Sequence, residues 1–485
     1  MSSQTLTSPP GEPVEGPPAP PVHRPLVLAL TCTGVLLVGI DMTAVNVALP
    51  AIGREFGTGA SGLSWTIDAY TLVLAATLMA GSSAADRFGR KRVFCLGLTV
   101  FAVASALCAL APGLGWLVAF RALQAVGGSM LNPVAMAILS SIYPGRTERA
   151  RALGVWGGVT GLSLAVGPIV GGALVDSPLG WRWIFLINVP IGLLGMALTR
   201  RFVPESRADR PRRFDPVGQV LIAVALTALT FGVIEGPHLG WASPAVVCVF
   251  VLAVLAVAVF VAYEQRRREP LLDLRFFRSV PFSGANVVAM VGFASLGSFL
   301  YLSSIYLEQA RHFSPLETGL ILVPLAAVSV VWGPVSGHVL ARWGARPCLV
   351  VGGVSYVVAG LLLSTVTTTT PIWLLLLAAA AMGLGNSSIS GTVTNAAVAG
   401  MPAAQASVAA GVAATTRQIG QTVGVAVAGV TIAHVALDQV EQLAASTHVG
   451  WWLIAAYGVA IVVLGVVSTT RWARATARRA TSGSA

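Results

Sequence analysis

The sequence predicts an all-α polytopic membrane protein of fourteen transmembrane helices, grouped as two six-helix bundles with two further helices inserted between them. Three observations carry that expectation: the balance of apolar and charged residues, the number of apolar stretches, and a loop pattern that recurs eight helices later. Hydrophobic residues make up 55% of the 485 and charged residues only 10%, with a mean hydropathy of +0.80. That mixture cannot form an ordinary water-facing surface, so the lipid bilayer is the solvent and the first partner.

Residues 1–24, rich in Pro, Ser, Gly and Glu, have too little apolar content for a signal peptide and read as a disordered cytoplasmic tail. The first span, about Pro25 to Pro50, then serves as its own insertion signal. Further apolar stretches lie near 61–85, 93–112, 114–141, 150–176, 181–201, 216–236, 243–263, 281–309, 315–341, 346–367, 371–397, 405–437 and 449–470. Each is long enough for the ~20 residues that a helical crossing needs. A basic tail, 471–485, ends the chain. This divides it into an N-terminal bundle (25–203), an inserted pair with basic loops (204–280) and a C-terminal bundle (281–470).

An even number of crossings puts both tails on one side, and the basic residues choose the side. Of thirty, only Arg54, Arg182 and Arg311 fall in odd-numbered loops, while Arg121 and Arg417 fall inside spans; the other twenty-five share the face of the tails. Such a bias marks a cytoplasmic face, here of a bacterial inner membrane. The formal charge of +11 is thus spent between spans, and no nucleic-acid surface is expected. Cys32, Cys95, Cys108, Cys248 and Cys348 lie in or beside apolar runs without paired spacing, so they read as packing residues and not as disulfides or metal ligands.

The repeat sits at the ends of spans two and ten. Ser82-Ser-Ala-Ala-Asp86-Arg87-Phe-Gly89-Arg90-Lys91 is echoed by Gly337-His-Val-Leu-Ala341-Arg342-Trp-Gly344-Ala-Arg346. Paired halves with a site between them near the bilayer midplane are common transporter architecture.

Four ionisable residues stand well inside spans: Asp41, Asp68, Arg121 and Arg417. Each would cost roughly 2.5 to 3.5 kcal/mol facing lipid at the centre, so each should face a cavity or a partner. Asp41 is either a buried acid fixed by a nearby donor or a proton acceptor; Asp68 is either an interfacial acid or a second acceptor. Arg121 stays protonated and cannot carry the proton itself, but it can clamp carbonyls or bias a neighbouring acid. Arg417 is placed to do the same in the second half. In span five, Gly154, Ser163, Gly167, Pro168, Gly171 and Gly172 bring small residues and a proline together, which predicts a close, bendable helix contact. P-loop, HExxH and GxSxG patterns are absent from the sequence and no GxGxxG follows a strand, which excludes ATP-driven transport by this chain and leaves no motif for an enzyme. An ion gradient remains as the drive.

From Arg24 to Arg471 the chain resembles the fourteen-helix drug:proton antiporters of the major facilitator superfamily, especially actinobacterial antibiotic exporters. Asp41-Met-Thr43-Ala-Val-Asn46-Val-Ala-Leu-Pro50 resembles the family's first-helix signature, whose acid is linked to coupling and substrate binding. Trp65, Asp68, Tyr70 and Asp86-Arg87-Phe-Gly89-Arg90-Lys91 are similar to the conformational-switch motif, with Ser82 at the usual glycine and Gly81 one place early. Arg121-Ala-Leu-Gln124-Ala-Val-Gly127-Gly128 resembles the motif whose arginine is implicated in proton transfer, with Ala125 where glycine is more usual. Span five carries the antiporter pattern with Ser163 for a glycine. Gly180-Trp181-Arg182-Trp183-Ile-Phe185-Leu-Ile-Asn188-Val-Pro190-Ile-Gly192 and Pro270-Leu-Leu-Asp273-Leu look like the fourteen-helix branch.

The resemblance implies the major facilitator fold and rocking-bundle export of a lipophilic small molecule by a monomer, with protons as the coupling ion and no other cofactor. It puts Asp41, Asp68 and Arg121 in proton coupling and Asp86, Arg87, Gly89, Arg90, Lys91 and Arg342 in the switch, with Asp86 and Arg87 latching the halves in the outward-facing state. Asn46, Tyr70, Gln124, Asn188 and Arg417 are the polar residues expected at the substrate cavity. A proton-coupled metabolite transporter and a transport-dead scaffold or sensor remain as alternatives.

Overall fold

The computed structural model describes residues 23–143, 145–207, 215–267, 277–398, 406–433 and 440–470, together with 472–473 and 475–476. Nearly all of the expected N-terminal tail, most of the C-terminal tail, and the Pro270–Leu274 stretch lie outside the described residues. The N-terminal bundle comprises α1 (Arg24–Phe56), α2 (Ala60–Phe88), α3 (Arg90–Ala109), α4 (Leu114–Ile142), α5 (Arg146–Asp176) and α6 (Trp183–Phe202). The inserted pair is α7 (Pro216–Leu239) and α8 (Pro244–Glu264). The C-terminal bundle comprises α9 (Val280–Ala310), α10 (Pro315–Trp343), α11 (Ala345–Leu363), α12 (Ile372–Val398), α13 (Ala406–Ile432) and α14 (Val440–Ser468). Twelve of these are long and apolar enough on those grounds alone to cross a membrane, and α5 and α13, of 31 and 27 residues, bring the number of helical segments to fourteen.

Several spans differ in detail from the sequence expectation. The first runs past Pro50 to Phe56, because a proline deep in a ladder removes one N–H without ending it, and it stops at Gly57 with φ 60°. The last begins at Val440 and not near 449, since its first turn carries Glu441 and Gln442 and has no apolar signal. Helix α4 is interrupted at Met130 and Leu131 ahead of Pro133, and α6 at Ile187 ahead of Pro190. The end of α9, Tyr306–Ala310, winds as a π-helix.

The repeated loops match in geometry. Gly89 joins α2 to α3 at φ 111°, and Gly344 joins α10 to α11 at φ 81°, both backbone positions that favour glycine. The first is also clamped: a Cβ on Gly89 would lie 2.6 Å from Glu205, whose carboxylate accepts the Lys91 N–H at 3.0 Å.

The bundles meet along two seams, α5 with α10 and α2 with α13. A Cβ on Gly319 would come 2.2 Å from the Pro168 carbonyl oxygen, and one on Gly172 would come 2.4 Å from that of Pro315. Among the described residues, the hydrogen bonds between bundles join Ser64 to Tyr301 (3.4 Å), Tyr301 to the Ala60 carbonyl (3.1 Å), Thr422 to Thr71 (2.6 Å) and Ser304 to the Asn46 carbonyl. All of these sit in the half of the membrane away from the face where α1 begins. Among the described residues these bonds close the bundles at the arginine-poor face, and none of them lies at the basic one.

Helix α7 lies over the second seam, against both α2 and α13, and Glu235 fixes it by accepting from Ser61 (2.7 Å) and Trp65 (2.9 Å) on α2. Helix α8 packs on α7 and turns Val251, Val254, Leu255, Val257 and Val259 outward to lipid. At the basic face Asp215 caps α7 and pairs with Arg267 at 2.6 Å, holding the two inserted helices together.

The seam contacts give a direct expectation. Gly319→Leu cannot be seated without parting α5 from α10, so the protein inserts normally while backbone hydrogen exchange over residues 315–325 rises; exchange equal to wild type would show that this approach does not hold the bundles together.

Candidate functional site

The N-terminal bundle buries a complete polar cluster around Asp41. The carboxylate is 1% exposed and its oxygens are occupied by three donors: Arg121 Nη1 to Oδ2 at 2.5 Å, and Gln124 Nε2 and Asn188 Nδ2 to Oδ1 at 2.8 and 3.3 Å. Arg121 also donates to Gln124 Oε1 (2.6 Å) and, through Nε, to the Thr66 carbonyl (3.3 Å), while its guanidinium lies 4.3 Å from the centre of the Tyr70 ring and 5.6 Å from that of Phe185. Gln124 reaches on to Ser105 at 2.8 Å. Residues from α1, α2, α3, α4 and α6 thus converge on one ion pair, as a buried charge requires.

Asp68 is different. It is fully buried, one helix face away on α2, and neither carboxylate oxygen has a hydrogen-bond partner among the described residues. Thr71, one turn on, makes the Thr422 bond across the seam. Tyr70, two residues past Asp68, gives its ring to Arg121 and leaves its hydroxyl unpartnered among the described residues.

The remaining expected site residues fall in three groups. Asn46 is buried, with its amide bonded to the Met42 carbonyl at 2.8 Å, and Arg417 is half-buried in the other bundle with its guanidinium 5.7 Å from the Phe293 ring centre. Gln124, Asn188 and Tyr70 are absorbed by the Asp41 cluster. At the basic face Asp86 pairs with Arg90 (3.3 Å), Arg90 reaches the Ala137 carbonyl (3.4 Å), Arg87 stacks on Phe88 and Arg342 on Trp343. In this closed-outward arrangement the Asp86 pair lies within its own bundle.

The glycines of α5 serve two neighbours. A Cβ on Gly167 or Gly171 would strike Thr43 or Ala44 of α1, whereas Gly172 and Pro168 face α10 as described; Gly154 lies on the same helix. Ser163 is accommodated by Gly39 of α1, where a Cβ would come 1.9 Å from the serine Oγ. The other departure is resolved similarly: Gly81, not residue 82, makes the close approach, and a Cβ there would lie 2.8 Å from the Ser129 carbonyl oxygen on α4.

Several buried or bonded carboxylates were not singled out by the sequence reading, Glu55, Asp215, Glu235, Glu264 and Glu308 among them. Glu235 and Glu308 stand inside expected spans but one residue from their ends at 236 and 309, and so do not count as well inside them. A narrow apolar crevice with room for about one water molecule, lined by Phe299, Tyr306, Ile321, Leu363 and Trp451 among others, lies inside the C-terminal bundle and away from the ion pair.

A fourteen-helix chain with paired bundles, repeated loops and a buried Asp–Arg pair can be compared with known proteins. The sequence profile of the Major Facilitator Superfamily matches residues 31–425. This chain belongs to that superfamily. Among curated major facilitator relatives, the Multidrug resistance protein Stp of Mycobacterium tuberculosis is 35% identical over 408 residues, covering 84% of this chain and 76% of its own. The Tetracenomycin C resistance and export protein of Streptomyces glaucescens is 35% identical over 412 residues, with the same coverage. The Methylenomycin A resistance protein of Streptomyces coelicolor is 34% identical, covering 82% of this chain and 84% of its own. Among solved structures, tetrameric PepTSo2 superposes with a TM-score of 0.65 at 18% identity, over 95% of this chain and all of the other. A bacterial homologue of the lysosomal transporter Spinster, inward-facing and unoccupied, gives 0.62 at 17%, over 94% and 98%. At such identities these structures establish the major facilitator fold alone. The protein is a multi-pass membrane protein, and the fourteen segments comprise the superfamily's two six-helix bundles and an inserted pair.

Within this superfamily member the ion pair makes a stability prediction. Arg121→Met leaves Asp41 buried without its cation and should cost about 3–5 kcal/mol, read as a lower unfolding midpoint in detergent. Adding Asp41→Asn should restore most of the loss; no restoration would mean that Arg121 stabilises through Thr66 and Tyr70 instead.

Proposed function

We propose that this protein exports lipophilic drugs or antibiotics across the bacterial cytoplasmic membrane, as a monomer with both termini in the cytoplasm, in exchange for protons. The observation that carries the reading is the presence of unlike acids in one bundle: Asp41 bonded on both oxygens, with Arg121 on it and over the Tyr70 ring, and Asp68 bonded on neither oxygen among the described residues. The resistance and export functions named for relatives at 34–35% identity support the substrate class.

The geometry supplies a coupling route. A proton arriving at Asp41 competes with Arg121 for Oδ2, and once the ion pair is lost the guanidinium keeps only its bonds to Gln124 and Thr66. Thr66, Tyr70 and Asp68 are all on α2, the helix that meets α13 at the seam, so a proton at Asp41 or Asp68 changes the forces on the element that must move. Asn46, Gln124, Asn188 and Arg417 are the polar groups that the substrate meets when the bundles part, and the Asp86 to Lys91 loop with Arg342 re-forms contacts at the basic face when they rock. One proton crossing ~100 mV releases roughly 2.3 kcal/mol, enough for about a 50-fold gradient of a neutral substrate.

Inverted vesicles acidified by respiration test the proposal directly. Adding compounds from a panel of lipophilic antibiotics and cationic dyes should release protons for at least one of them, with matching resistance in a pump-deficient host. Silence across the panel would overturn the exporter reading. Asp41→Asn, inserted at normal levels, should abolish proton-coupled efflux; undiminished pH-dependent transport would remove Asp41 from the coupling.

A further inference from the structure

Glu308 has no part in the site described so far, yet it is 6% exposed within the outer seam and sits in the π-helical turn Tyr306–Ala310. We propose that Glu308 is a second proton-binding site, at the outer gate, which must carry a proton for the arginine-poor face to close. The inference rests on the proton-driven reading above.

Counting hydrogens around Ser304 gives the argument. Its hydroxyl has one hydrogen, and the Asn46 carbonyl across the seam has none, so the bond between α9 and α1 uses the serine proton. Ser304 Oγ is also 3.3 Å from Glu308 Oε1. With its hydrogen already given away, the serine can only accept there, and the hydrogen between them must come from a neutral Glu308 carboxyl. The relay then runs from Glu308 O–H to Ser304 O–H to the Asn46 carbonyl. Oε2 has no hydrogen-bond partner among the described residues, so an ionised Glu308 would be buried with no donor to either oxygen.

The charges around Glu308 do not replace that proton. Arg54 on α1 and Asp176 on α5 act on it through space with opposite sign, and neither bonds it. Arg311 is committed to the Thr370 carbonyl (2.5 Å) and the Tyr306 hydroxyl (3.5 Å), Glu317 to the cap of α10, and His448 on α14 to the Val366 carbonyl (2.7 Å). The turn is also poised to move. Its closing bond, Arg311 N–H to the Tyr306 carbonyl, is followed at once by His312 at φ 56°, a left-handed conformation that a non-glycine residue holds only under strain. Opening the seam breaks the Ser304 bond and puts Glu308 in contact with water on the side from which protons enter.

Hydrogen exchange of the full chain in lipid nanodiscs, corrected for the intrinsic effect of pH, reads gate closure without reading transport. Peptides covering 166–176 and 306–322 should exchange faster at about pH 8.5 than at about pH 6, by up to about tenfold per pH unit where one proton is linked. Glu308→Gln, whose amide can donate to Ser304 as the neutral acid does, should stay protected at both. Wild-type exchange that ignores pH, or a Glu308→Gln variant with the wild-type dependence, would overturn the proposal. Should that variant not fold, dicyclohexylcarbodiimide labelling of wild type decides: it should modify Glu308 at the lower pH and spare it at the higher, and equal labelling would count against the site. A gate that follows pH through Glu308 in a protein whose vesicles release no protons with any compound would retain the site and discard the exchange reading.

Discussion

A cation cannot be left alone in a bilayer, and the N-terminal bundle is organised by that constraint acting on Arg121. Its guanidinium is satisfied by Asp41 from α1, the Thr66 carbonyl and Tyr70 ring from α2, Gln124 from its own helix and the Phe185 ring from α6. Each of these contacts comes from another part of the chain, so the helices must hold a register in which all of them are met. Apolar packing in lipid is weakly directional, because hydrocarbon outside is as good a neighbour as leucine inside. The ion pair and its amides provide the direction that packing lacks.

Between bundles the constraint is the reverse, since surfaces that must separate in each cycle cannot be joined by buried charge. The α5–α10 seam uses backbone laid on backbone through Gly172 and Gly319, the α2–α13 seam uses the hydroxyls of Thr71 and Thr422, and beside it Ser64 of α2 meets Tyr301 of α9. Neutral hydrogen bonds net about 0.5–1.5 kcal/mol each, small enough to break within a cycle. Helix α5 has a double role here: Gly167 and Gly171 fix it to α1 in its own bundle, so whatever displaces α1 at Asp41 is carried to the surface that touches α10.

The sequence shows the helices well because hydropathy and arginine placement are properties of single segments. It does not show which groups meet. Asp41 and Arg121 are 80 residues apart, and nothing in either span says that the acid is held by an arginine, a glutamine and an asparagine from two other helices. The same blindness made Ser163 and Ser82 look like defects in family patterns; Gly39 and Gly81 supply the missing space from a neighbouring helix and a neighbouring position. Glu235 and Glu308 were invisible for another reason. Both stand one residue from the end of an apolar stretch, where a charge normally reaches the membrane surface, whereas α7 and α9 continue past them to Leu239 and Ala310 and bury or bond them against partners that only the packed structure provides.

The two bundles repeat a fold without repeating its chemistry. The first contains the ion pair and a loop glycine clamped by Glu205; the second has a free glycine at the matching turn, an apolar cleft behind Trp451, and Arg417 resting on Phe293. A definite polar network in one bundle fixes the geometry of the helices that share it, whereas aromatic and aliphatic side chains in the other leave theirs to packing. The seams join the two: α2 carries Thr66 and Tyr70 into the Asp41 network and meets α13, while α5 packs on α1 through Gly167 and Gly171 and meets α10, so a displacement of either helix reaches both bundles.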